Sequence, residues 1–149
     1  MKRTVTLAVV LASAFAFGGD VEKTVAQKNG WAAYAKELSK KADEVNTACG
    51  SKLTAAYDKT TYPEFDPLKD RTEAACKAAV GTLTAVCATD AGKVAVKKLT
   101  KATCQFSTTG TGISVKGTEL IVRVDPEKSA IVGKGAGSTS WKTALEEAL

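Results

Sequence analysis

Apolar residues recur along the first half of the chain at steps of three and four. Trp31, Tyr34, Leu38, Ala42, Val45, Cys49, Leu53 and Ala56 form one helical stripe. Glu37, Lys40, Lys41, Asp43, Glu44 and Lys52 occupy the positions between, as on a helix that turns one face to water. The pattern predicts a long helix reaching to about Tyr57. Gly50 is a kink point within it, because an interior glycine costs about 1 kcal/mol. Val21 to Lys28 offers a backward extension, weakened at Asn29-Gly30.

Tyr57 to Phe65 reads as a connection broken by Pro63. Asp66-Pro67 then opens a second helix, with the carboxylate capping free N–H groups and proline at the first helical position. The stripe resumes as Cys76, Val80, Leu83 and Cys87, flanked by Ala75, Ala79 and Val86. Thr89-Asp90 marks a break and a new cap. Ala91 to Leu99 follows as a short helix with Val94, Ala95 and Leu99 inward.

The period then falls to two. Thr103 to Phe106 alternates, and Ile113-Ser114-Val115 and Leu120 to Val124 flank a bend at Lys116-Gly117-Thr118-Glu119. This is a hairpin signature. Asp125-Pro126 ends the last strand. After a glycine-rich stretch, Trp141, Leu145 and Leu149 mark a terminal helix from about Thr139. The expected fold is α+β: a disulfide-clamped helical hairpin on a small antiparallel β-meander, with a short C-terminal helix.

Composition changes this picture at the N-terminus. Lys2 and Arg3 precede 16 uncharged residues centred on Leu7 to Ala12, and Ala14-Phe15-Ala16 offers small residues at a cleavage point. This reads as a secretory signal peptide over 1–16, cleaved to leave one domain over 17–149. The run is shorter than a spanning helix of about 20 residues requires. The expected product is a small soluble bacterial protein, periplasmic or secreted, with no membrane span. Cleavage takes Lys2 and Arg3 and no acid out of the formal +5, leaving +3.

Four cysteines in an exported chain point to disulfides. With the two long helices antiparallel, Cys49 lies about 12 Å from one end of the pair and Cys76 about 13.5 Å from the same end. Cys87 lies about 16.5 Å further along, beyond the ~7 Å Cα separation that a bridge tolerates. The expected pairs are therefore Cys49–Cys76 and Cys87–Cys104. Each would contribute roughly 2–4 kcal/mol.

Candidate chemistry is sparse. With no histidine in the chain, imidazole-dependent triads and histidine zinc sites are excluded. Lys134, Gly135, Gly137 and Ser138 sit in a glycine-rich loop before a helix and form a weak candidate anion site, although the spacing fits neither a Walker nor a dinucleotide loop. Glu64, Asp66, Asp70 and Glu73 cluster near a helix start, where acids complement the helix dipole. Lys93, Lys97, Lys98 and Lys101 read as a solvated basic face. Only three of the 21 basic residues are arginine, which argues against a nucleic-acid partner. Ser138, Ser140 and Lys142 lack SxxK spacing and read as helix-cap chemistry. Trp31, Tyr34 and Trp141 read as core aromatics.

No catalytic, cofactor or metal residues are assigned. The function expected is a non-catalytic binding or inhibitory module acting on a protein or envelope component. The alternatives are a carrier of a small apolar or anionic ligand between helices and sheet, and a small carboxylate- or lysine-dependent enzyme using Glu64, Asp66 or Lys134.

Overall fold

The computed structural model describes residues 24–62, 69–128, 131–132 and 140–149. The signal-peptide segment, Glu64, Asp66 and the candidate anion loop lie outside them.

Helix α1 spans Val25–Cys49. It starts at a reciprocal cap: Thr24 Oγ1 accepts from Gln27 N, and Gln27 Oε1 accepts from Thr24 N at 2.8 Å. It runs unbroken through Asn29-Gly30 and buries the expected stripe of Trp31, Leu38, Ala42, Val45 and Cys49. Gly50 ends the helix. Its φ of 64° is a left-handed cap, and its N–H donates to the Asn46 carbonyl. Leu53 and Ala56 therefore lie beyond the helix, and Thr54–Tyr57 forms strand β1. A run of five residues satisfies both periods poorly enough that only the cap decides between them. Asn46 fixes the turn: its Oδ1 accepts from Leu53 N at 2.6 Å and Ser51 Oγ at 2.8 Å, and its Nδ2 donates to Leu53 O.

A 3-10 turn over Lys59–Thr61 follows, then α2 over Lys69–Val86 and α3 over Asp90–Lys97. The α2 stripe of Cys76, Ala79, Val80, Leu83, Val86 and Cys87 is buried as expected. Thr89 caps α3 through Oγ1 and Gly92 N. Val94 points outward, 58% exposed, while Gly92, Val96 and Leu99 face the core. The inward register of α3 is thus shifted from Val94 and Ala95 to Val96, because the close approach at Gly92 fixes which side meets α2.

Strands β2 (Lys101–Phe106), β3 (Thr111–Lys116), β4 (Glu119–Val124) and β5 (Ile131–Val132) complete a sheet ordered β1-β2-β4-β3-β5, and α4 spans Trp141–Ala148 behind an Ser140 cap. β3 and β4 form the expected antiparallel hairpin, turning at Gly117 with φ 62°. The other pairings, β1–β2, β2–β4 and β3–β5, are parallel. Class α+β, the clamped helix pair and the C-terminal helix agree with the expectation; the sheet is mixed. One face of the sheet carries Ala102, Cys104, Leu120, Val122 and Val124 into the core against α1, α2 and α4.

The clamp joins Cys49 to Cys87, with a Cα–Cα distance of 5.5 Å. The expected pairs Cys49–Cys76 and Cys87–Cys104 are not formed. Those pairs require antiparallel helices. Here Lys41 lies against Gly81 and Cys49 against Cys87, so advancing along α1 also advances along α2. Inserting β1 between the helices reverses the chain twice, and the two C-terminal ends meet.

Candidate functional site

Two places concentrate polar or reactive groups. The first lies inside, where α1 covers β1 and α2 covers β2. Cys76 projects from α2 and Cys104 from β2. Both are buried free thiols in the same core cluster. Tyr57 is the register partner of Cys104 on β1. Tyr57, Tyr62 and Trp31 meet edge to face, with Trp31–Tyr62 centroids 4.9 Å apart, and Phe106 lies against Tyr62. The Tyr57 and Tyr62 hydroxyls are buried and have no hydrogen-bond partner among the described residues. Burial drives both phenols far above the usual range, so they stay neutral. Burial also raises the Cys76 thiol well above its ordinary value, with the neighbouring Cys104 adding to the effect.

The second place is the sheet face against which no helix among the described residues packs. Alternation along β2 and β4 sends Lys101, Thr103 and Gln105, and Glu119, Ile121 and Arg123, to this side. A depression of about 550 Å³ opens there, bordered by Ala56, Asp58, Lys59, Thr103, Gln105 and Ile121 among others. Its polar groups form a connected set. Glu119 accepts from Thr103 Oγ1 and pairs with Lys101 Nζ at 3.0 Å. Asp58 accepts from Thr60 N and from Gln105 Nε2 at 3.1 Å. The Thr103 hydrogen bond, then Lys101, holds the Glu119 carboxyl below its usual value. The Thr60 and Gln105 hydrogen bonds do the same for Asp58.

The residues singled out from sequence are dispersed. Lys134, Gly135, Gly137 and Ser138 lie outside the described residues, as do Glu64, Asp66 and the Asp70 side chain. Glu73 is buried and tied to Lys77 at 2.6 Å. Lys93, Lys97 and Lys98 are exposed on or just after α3. Lys97 runs within 3.7 Å of where a Gly50 side chain would be, beside the C-terminal end of α1, where a cation is favoured. Ser140 caps α4, and Lys142 pairs with Glu146. Asp125 ends β4 as expected, its Oδ1 accepting from Glu127 N and Lys128 N. The sequence pattern assigns no role to Asp58, Gln105 and Glu119. The outward half of the strand alternation is the signal for Gln105 and Glu119, whereas Asp58 comes from the cap of the 3-10 turn, which periodicity does not mark.

Among the described residues no group of three or more acids, cysteines or histidines is placed to hold a metal ion. No helix among them is long and apolar enough to cross a membrane. The sequence matches no protein-family profile and no curated protein, and the fold matches no solved structure.

Proposed function

We propose that this chain is a small exported binding module without catalytic activity, and that its partner meets the helix-free face of the sheet. The observation that carries the reading is the depression on that face, with its connected set of Asp58, Lys101, Thr103, Gln105 and Glu119. These groups are positioned by strand register and by one another, so a partner meets a preformed polar surface. Lys59, Lys101, Lys116 and Arg123 outnumber Asp58 and Glu119 around it, which favours an acidic or hydroxyl-rich partner surface. A carrier would instead need room between helices and sheet. That layer is filled by Leu38, Val80, Leu83, Leu120 and Val122, all fully buried.

The test is site-directed photo-crosslinking in the producing cells. A photoreactive residue at Ile121 or Arg123 is expected to give the same discrete adduct. The same residue at exposed Lys40, on the outer side of α1, is expected to give none. Equal labelling from all three positions, or none from the sheet face, overturns the assignment.

A further inference from the structure

The thiols of Cys76 and Cys104 are left over from the Cys49–Cys87 bridge, and both are buried in the one core cluster where α2 packs against β2. Both side chains have 0% exposure. Each is positioned by an independent device. Cys76 follows from the α2 stripe that also buries Val80 and Leu83, and Cys104 from the β2 register with Tyr57 and Val122. Neither sulfur has another free cysteine to pair with, since Cys49 and Cys87 are joined to each other.

We propose that Cys76 and Cys104 are joined in the exported protein as a second disulfide, which ties α2 to β2 and is set while the chain folds. The connectivity is then first with third and second with fourth cysteine. The oxidant class is an external disulfide, either a small-molecule disulfide or a disulfide oxidoreductase. One cysteine thiolate attacks that disulfide, forming a mixed disulfide and expelling one thiol. The second cysteine thiolate attacks the mixed disulfide and releases the other thiol. Two protein thiols become one bridge, and one external disulfide becomes two thiols. The attack needs access to sulfur, and the closed core gives none, so the exchange belongs to the stage before α2 seats on the sheet. Afterwards the same burial shields the bridge from reductants. The proposal rests on the export reading only in requiring an oxidising compartment; it does not depend on the sheet-face partner.

Tryptic cleavage puts the four cysteines in four separate peptides, 42–52, 72–77, 78–93 and 102–116. The full chain without residues 1–16 is refolded from the reduced, denatured state in a mixture of glutathione and glutathione disulfide. It is then denatured and alkylated without reductant, and digested. The expected result is no alkylation, with 72–77 linked to 102–116 and 42–52 linked to 78–93. Alkylated 72–77 and 102–116 beside a linked 42–52/78–93 pair overturns the proposal. So does any link from 72–77 to 42–52. In native buffer with dithiothreitol the 72–77/102–116 link is expected to persist until urea is added. Its loss without urea overturns the assignment of the bridge to the folding stage.

Discussion

Replacing Gly92 by alanine sets two effects of opposite sign against each other. Gly92 lies inside α3, where alanine favours the helix by about 1 kcal/mol. Packing opposes this. A Cβ at position 92 would lie 1.9 Å from the Val86 carbonyl oxygen, 2.8 Å from the Val86 carbonyl carbon and 3.0 Å from Thr89 Oγ1. Ordinary carbon–oxygen contacts are about 3.3–3.6 Å, so α3 must retreat by well over 1 Å. The obstacle is backbone at the end of α2, which cannot swing aside like a flexible side chain. Retreat also stretches the Thr89 cap to Gly92 N, and a cap is worth about 1 kcal/mol. Overpacking of this kind costs about 1–3 kcal/mol, and with the cap loss it outweighs the propensity gain. The expected net is a destabilisation of about 1–3 kcal/mol, or a Tm lower by roughly 3–9 °C. Gly81 is the internal control. It sits in α2, where a Cβ would meet only the flexible Lys41 Cδ at 3.5 Å. Gly81→Ala is therefore expected to stabilise by about 0.5–1 kcal/mol. Urea denaturation followed by circular dichroism measures both, with an unchanged m-value as the check that the states compared are the same. A Gly92→Ala midpoint at or above wild type would refute the reasoning.

The remaining expectations are of the same kind. Replacing both Cys49 and Cys87 by alanine opens a loop with sequence separation 38 and is expected to cost about 3–4 kcal/mol in the chain-entropy account, read from the urea midpoint. Asn46→Ala strips three hydrogen bonds from the turn between α1 and β1 and leaves the Leu53 N–H without its partner. A loss of about 1–3 kcal/mol is expected in the same assay. Asp58 and Glu119 have folded-state pKa values below their ordinary ones. Their contribution is therefore complete above the unfolded carboxylate range and is lost as pH falls through the folded values. Thermal melts across the acid range should show stability falling there, with a shallower fall for Asp58→Asn; an identical acid limb in that variant would count against the hydrogen bonds to Thr60 and Gln105. Leu83→Ala, at a fully buried position between α1 and α2, is expected to cost about 2–5 kcal/mol.

Local rules carried much of this architecture. The α1 stripe from Trp31 to Cys49, the Thr89 cap, the Gly117 hairpin and the Ser140 cap all follow from periodicity and short-range hydrogen bonding. Strand β1 escaped because Leu53 to Tyr57 is short and its apolar spacing continues a helical count. What ends the helix is a backbone choice at Gly50, fixed by Asn46 reaching forward to Leu53. The disulfide pairing escaped for a related reason. Helix rise sets the height of each cysteine, and height decides a pairing only once helix direction is known. Direction depends on whether β1 enters the sheet beside β2, a non-local pairing between Thr54–Tyr57 and Lys101–Cys104. The sheet face was legible in outline, since the outward residues of β2 and β4 are fixed as soon as the inward ones are. Its depression was not, because Asp58 and Lys59 reach it from the 3-10 turn.

The strand order has a further consequence for a chain that emerges N-terminal end first. Cys49 and Cys87 both precede residue 101, so their bridge can close before β2 exists. β1 then waits, its edge unpaired and the α2 face with Cys76, Val80 and Leu83 uncovered, until the last third of the chain arrives. β2 in turn must leave a place for β4, which reaches it only after β3 has been laid down. The one pairing available locally is the β3–β4 hairpin. Such non-local closure is slow relative to helix formation, so the vulnerable species is a crosslinked helix pair with an open apolar face. A nascent chain halted before β2 is therefore the form expected to aggregate.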